Sequence, residues 1–239
     1  MNTIEPRGEG ESGFVHSKTK KLDFQIAAAM ECRIDGHKGL SANQESYSKT
    51  NYSISAKKNK KYTLYKYVSV VNSQNTEINN LEAYAKKRAI NAVNQGFNSL
   101  LQEHSNAWLG KWELADIIIE GDPPAQQAIR YNIFQLLQTF TGVDSRLNIG
   151  PKGFTGEKYG GSTYWDTEAY CLPFFLASSD SKISKNLLIY RYKQLGKAIE
   201  NAEKLGFKNG AALYPMVTMN GEESHNEWEI TFEEIHRNG

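Results

Sequence analysis

Residues 77–103 read EINNLEAYAKKRAINAVNQGFNSLLQE. In this stretch Leu81, Tyr84, Ala85, Ala89, Val93, Phe97, Leu100 and Leu101 recur at the three- and four-residue steps of one helix face. Gln95-Gly96 interrupts the run, so the spacing predicts two helices. Before Asn75 the period is different. Leu22 to Arg33, Tyr47 to Ala56 and Tyr62 to Val71 are rich in Ile, Val, Tyr and Thr or alternate apolar with polar, and Gly/Asn/Lys turns divide them. They read as antiparallel strands. After the helical run, Ile117-Ile118-Ile119 within Trp112 to Glu120 is strand-like, and Asp122-Pro123-Pro124 opens a helix expected to end near Phe140. Further helices are expected from Thr167 to Ala177, from Lys185 to Leu205, and from about Thr231 onward. The class is therefore α+β and multi-domain, strand-rich first and helical afterwards. No internal repeat or low-complexity segment is evident in the sequence.

Composition narrows the function classes. A formal net charge of +1 lacks the basic excess that a nucleic-acid or anionic-membrane surface needs. The cluster Lys57, Lys58, Lys60 and Lys61 reads as a hairpin turn between strands rather than a binding patch. Cys32 and Cys171 are the two cysteines, far apart and without CxxC spacing, so neither a disulfide framework nor a zinc site is expected. The N-terminus is polar and the longest apolar stretches fall short of a bilayer span. Cytoplasm is the expected compartment, with no membrane partner.

The chemistry concentrates in Gly150-Pro151-Lys152-Gly153-Phe154-Thr155-Gly156-Glu157-Lys158-Tyr159-Gly160-Gly161, followed by Tyr164-Trp165-Asp166-Thr167-Glu168. An indole presents an apolar face to the C–H surface of a pyranose, and an adjacent carboxylate accepts hydrogen bonds from its hydroxyls. Glycines let the backbone approach such a ligand. The competing reading is a buried Trp165 under a Gly-rich turn, with Asp166 as an N-cap and Glu168 in the first helical turn. Taken alone, the block leaves both open.

Four stretches together carry a resemblance: Glu5-Pro6-Arg7-Gly8-Glu9-Gly10, Gln126-Gln127-Ala128-Ile129-Arg130-Tyr131-Asn132, the block from Gly150 to Glu168, and NGEESHNEWEITFEEIHRNG at Asn220 to Gly239. The sequence resembles glycoside hydrolase family 65, and within it the maltose phosphorylases. The resemblance implies the closing strands of an N-terminal β-sandwich over residues 1–75, a helical linker over 76–110, and the first helices of an incomplete (α/α)6 barrel over 111–239. A twelve-helix barrel needs roughly 300 residues, so a truncated catalytic domain is expected. The implied reaction converts maltose and inorganic phosphate into β-glucose 1-phosphate and glucose with inversion. Phosphate is then co-substrate and nucleophile, and neither a cofactor nor a metal is needed.

By the same resemblance Trp165 and Asp166 contact the donor glucose, and Tyr159 and Glu168 shape that wall. The segment from His225 to Glu233, with His225, Glu227, Trp228 and Glu229, faces the departing glucose and sets disaccharide choice. Family members carry the general acid in a Gly-Pro-Asp-Glu-Tyr-like segment that this sequence lacks, so no catalytic residue is assigned and inactivity of the isolated chain is expected. Ser224 and Ser162 replace a Cys and a His of some relatives. The partners implied are maltose and phosphate, with either a homodimer or a complementing downstream polypeptide. Alternatives are a related α-glucoside hydrolase, a trehalose or kojibiose phosphorylase, or a non-catalytic carbohydrate-binding remnant. Plainer roles stand beside several of these residues. His225, Glu229 and Glu233 lie four apart and read as a solvated charge face more readily than as a metal site. Glu222 and Glu223 follow an Asn220-Gly221 turn signature. Arg130, Tyr131 and Asn132 fit a pocket lining, or a core tyrosine with a helix-bridging arginine. Tyr190, Arg191 and Tyr192 read as packing on an amphipathic helix.

Overall fold

A computed structural model describes residues 2–20, 23–44, 47–150 and 162–222, with side chains from Pro6 onward. The chain forms two compact units, Met1–Asn106 and Ala107–Gly239.

The first unit begins with strands β1 (Asn2–Glu9), β2 (Ser12–Lys18) and β3 (Gln25–Ile34). A hairpin of β4 (Leu40–Gln44) and β5 (Tyr47–Asn51) follows, then β6 (Leu64–Asn72). The main sheet is antiparallel in the order β1-β2-β3-β6, and β4-β5 form a separate two-stranded sheet. The β1-β2 hairpin was not expected from the pattern. Pro6 and the charged run through Glu11 disguise β1, and the proline is tolerated because β1 is an edge strand. The lysine cluster does form a turn, with Lys60 N–H donating to the Lys57 carbonyl at 3.1 Å. It is not a hairpin turn: β6 pairs with β3, and β5 with β4.

Helix α1 (Leu81–Gln95) follows a short 3-10 turn at Ile78–Asn80 and packs on β3 and β6. Its buried Leu81, Ala85 and Ala89 are spaced by four and meet Ala27, Ala29, Val71 and Phe14. Small side chains on both surfaces allow a close helix–sheet approach. Gly96, at φ +81°, ends the helix where a side chain is strained, and α2 (Phe97–Ala115) starts at once. The expected break is therefore present. The second helix runs twelve residues beyond Glu103, absorbing Trp108 and Trp112.

In the second unit α3 (Pro123–Thr139) has Asp122 as N-cap, its carboxylate accepting from Ala125 N–H at 3.0 Å, with prolines in the first turn. Ile117-Ile118-Ile119 do not form a strand. The Gln126 side chain takes the backbone groups that strand pairing would use, accepting from Ile119 N–H at 2.6 Å and donating to the Ile117 carbonyl at 2.8 Å. Next come β7 (Thr163–Tyr164), a π-helical turn (Thr167–Cys171), α4 (Leu172–Ser178), α5 (Ser181–Tyr192), α6 (Leu195–Lys204) and β8 (Val217–Thr218). The expected Lys185 to Leu205 helix is thus two helices divided at Lys193-Gln194. The core joins Ala115, Ile133, Leu137, Phe140, Ile149, Phe175 and Leu187, with Phe140 and Phe175 edge to face at 5.7 Å. Among the described residues, no helix is long and apolar enough to cross a membrane.

Candidate functional site

Residues 162–168 enter the second unit through β7, which pairs antiparallel with β8: Thr163 opposes Thr218 and Tyr164 opposes Val217. Thr163 Oγ1 donates to the Thr218 carbonyl at 2.9 Å. Thr218 Oγ1 in turn accepts from the backbone N–H groups of Asn220 at 3.2 Å and Gly221 at 2.7 Å. Asn201 Nδ2 on α6 donates to the Gly221 carbonyl at 3.3 Å, and the Tyr190 hydroxyl on α5 donates to the Met219 carbonyl at 3.0 Å. The block ending at Glu168 and the stretch that opens at Asn220, some fifty residues apart in sequence, are thereby stapled together and seated on a helix pair.

Trp165 and Asp166 follow β7 directly. Trp165 is 40% exposed, so the buried-indole reading does not hold. Asp166 is exposed and makes no side-chain cap bond to the turn it precedes, which removes the N-cap reading too. A large exposed aromatic beside an uncommitted carboxylate is the arrangement expected of a binding wall.

Beneath them the chain is locked. Thr167 Oγ1 donates to the Ile149 carbonyl at 2.7 Å in a buried bond. Leu172 N–H bonds to Thr167 O, five residues back, and Pro173 follows at the first turn of α4, where its missing N–H costs least. The resulting π turn carries Glu168, whose carboxylate receives Arg191 of α5 in two bonds, from Nε at 2.7 Å and from Nη2 at 3.0 Å. Both side chains are nearly buried, at 9% and 5% exposure. Asn148 Nδ2 adds a 3.3 Å bond to Glu168, and Arg191 Nη2 also reaches the Tyr164 carbonyl at 3.1 Å. The guanidinium carbon lies 4.9 Å over the Trp165 ring, and Tyr214 meets that ring edge-on at 5.9 Å and 84°. Glu168 is therefore engaged by protein groups behind Trp165.

Burial, followed by the charges of Glu168 and Asp166, pushes the Cys171 thiol up, so this cysteine stays protonated near neutrality and supplies no nucleophile. Arg130 is bound through Nε and Nη2 to Asp116, at 2.8 and 2.6 Å, and Tyr131 is exposed rather than in the core. Tyr190 and Arg191 are buried, whereas Tyr192 is exposed. Arg191 is the residue sequence reasoning missed: its signal was an arginine between two tyrosines on an amphipathic helix. Tyr159, His225, Glu227 and Glu229 lie outside the described residues, as do Trp228 and Glu233. Clefts exist elsewhere, one of about 540 Å³ in the first unit beside Glu31 and Lys86. Its central ionic groups pair internally: Glu31 binds Ser12 and Arg33, and Lys86 binds Glu82. Trp165 and Asp166 are the better candidates because their recognition groups remain open.

Comparison with known proteins identifies the family. Residues 2–110 match the glycosyl hydrolase family 65 N-terminal domain, and residues 130–239 match the glycosyl hydrolase family 65 central catalytic domain. A maltose phosphorylase of Bacillus subtilis (strain 168) is 50% identical over 238 residues, covering 97% of this chain and 30% of the relative. An α,α-trehalose phosphorylase of Thermoanaerobacter brockii is 37% identical over 226 residues, covering 93% of this chain and 29% of the relative. Among solved structures, a putative kojibiose phosphorylase from human microbiome superposes with a TM-score of 0.81 at 29% identity, covering 97% of this chain and 30% of that one. The chain thus spans about 30% of the length of the relatives it matches.

Proposed function

The chain belongs to glycosyl hydrolase family 65, and from that premise we propose that it supplies the sugar-binding wall of an inverting disaccharide phosphorylase acting on maltose. In this reading the open face of Trp165 lies against the pyranose that becomes β-glucose 1-phosphate. Asp166 accepts hydrogen bonds from its hydroxyls. The segment after Glu222 faces the departing glucose, with His225, Glu227 and Glu229 choosing the disaccharide, and Tyr159 closes the donor side. Inorganic phosphate attacks the anomeric carbon opposite the leaving oxygen while a carboxylic acid protonates that oxygen. The acid belongs to a Gly-Pro-Asp-Glu-Tyr-like segment that this sequence does not contain. Phosphate is a co-substrate, no cofactor is required, and the setting is carbohydrate metabolism in the cytoplasm.

The observation that carries the reading is the β7–β8 pairing, which draws Trp165-Asp166 and the strand that precedes the 225–233 segment in sequence onto one support. The 50% identity with a maltose phosphorylase favours maltose over trehalose or kojibiose. The test is glucose release from maltose, trehalose and kojibiose with and without phosphate, by this chain alone and mixed with a separately expressed downstream half of a relative. Phosphate-dependent release from maltose only in the mixture is expected. Release without phosphate would identify a hydrolase, and preferential cleavage of another disaccharide would overturn the maltose assignment.

A further inference from the structure

Arg191 has three guanidinium nitrogens, and two of them have conventional partners. Nε and Nη2 donate to Glu168, and Nη2 also to the Tyr164 carbonyl. Nη1 is sealed from solvent and has no hydrogen-bond acceptor among the described residues. In a planar guanidinium whose Nε edge grips a carboxylate, Nη1 lies on the edge turned away from it. A buried donor in that state is costly unless another group takes its hydrogens. The Trp165 ring lies 4.9 Å from the guanidinium carbon and offers an aromatic face. Its edge-on contact with Tyr214 fixes a second direction of the indole, and the ring still remains 40% exposed.

We infer that Arg191 is the positioning residue of the Trp165 platform: Glu168 and the Tyr164 carbonyl fix the guanidinium, which lies over one side of the indole and braces it, and the exposed part of the ring is held open for a pyranose. The inference rests on Trp165 being the sugar platform proposed above. Glu168 neutralises the guanidinium, so the pair brings no net charge and serves a neutral polyhydroxyl ligand rather than phosphate. Lysine is a poor substitute, because an ammonium cannot grip Glu168 through two fixed donors and reach the Tyr164 carbonyl while lying over the ring.

The experiment is calorimetric titration of the full chain with maltose, and separately with inorganic phosphate, for wild type, Trp165→Ala, Arg191→Lys and the double variant. Melting curves and near-UV dichroism monitor the fold. Wild type is expected to bind maltose, and Arg191→Lys to bind it roughly tenfold more weakly. The double variant should bind no more weakly than Trp165→Ala alone, since one residue acts through the other. That non-additivity is the readout a general loss of stability would not give. Additive losses, wild-type affinity in Arg191→Lys, or a loss confined to phosphate would each overturn the positioning role. Unchanged maltose binding in Trp165→Ala, or none by wild type, would instead sink the platform reading and the inference with it. If Arg191→Lys does not melt cooperatively, Glu168→Asp takes its place, because it keeps both charges but draws the guanidinium out of register.

Discussion

Replacing Glu168 by Gln removes the charge that neutralises Arg191 while keeping size and one acceptor. The pair is nearly dry, with side-chain exposures of 9% and 5%, and is joined by two bonds of 2.7 and 3.0 Å. Breaking a buried pair from one side costs ~3–5 kcal/mol, because the surviving charge stays buried without compensation. The amide oxygen keeps one bond, so the lower end applies, about 3 kcal/mol. For a unit the size of Ala107–Gly239 that is a fall in melting temperature of about 9–15 °C. All four tryptophans, Trp108, Trp112, Trp165 and Trp228, lie within Ala107–Gly239, so tryptophan fluorescence reports unfolding of the second unit alone. A Glu168→Leu/Arg191→Met double variant should melt above Glu168→Gln, since an apolar pair of similar volume carries no stranded charge. A Glu168→Gln shift below about 3 °C, or a double variant melting lower than the single, would refute the claim that this pair is desolvated and mutually dependent.

Other consequences are open to direct measurement. Thr218→Val strands the buried N–H of Gly221 and loosens that of Asn220, costing about 2 kcal/mol and visibly accelerating hydrogen exchange at both amides. Glycine replacements should have opposite signs. Gly142 sits at φ +67° with its added Cβ only 2.5 Å from Ile183, so Gly142→Ala should destabilise by at least ~2 kcal/mol. Gly110, on the exposed side of α2 with open space around it, should gain about 0.5–1 kcal/mol as Ala in urea denaturation. In the first unit, burial and then the 3.0 Å hydrogen bond to Glu11 push the Tyr52 phenol up to about 12. A raised folded value favours the neutral phenol, so its contribution is intact below the ordinary tyrosine value near 10 and is lost as pH rises from about 10 to about 12. The stability of wild type relative to Tyr52→Phe should fall across that window, and a constant difference would contradict it.

What the sequence made legible was local and periodic. The break between α1 and α2 at Gly96 follows from one interrupted helical face, and the start of α3 follows from an aspartate and two prolines. The elements it hid depend on partners supplied by the fold. Charges and Pro6 make β1 look like a loop until β2 pairs with it. The Ile117-Ile118-Ile119 run has strand chemistry, yet the Gln126 side chain claims the backbone groups a neighbouring strand would have used. The split between α5 and α6 leaves no glycine or proline at Lys193-Gln194 for pattern reading to find.

The site divides along the same line. Trp165 and Asp166, the proposed sugar contacts, stand out by residue type, but only the structure shows them exposed rather than buried. Their support cannot be read that way. Glu168 and Arg191 are 23 positions apart, on a π turn and on a different helix, and no spacing rule joins them. Each alone looks like an ordinary charge on an amphipathic segment. Their meaning comes from mutual burial, which only tertiary packing creates: a desolvated pair beneath an exposed ring makes the ring's orientation a property of the core rather than of a surface turn. The proposed platform should lose affinity when Arg191 or Glu168 is altered, although neither is assigned a ligand contact.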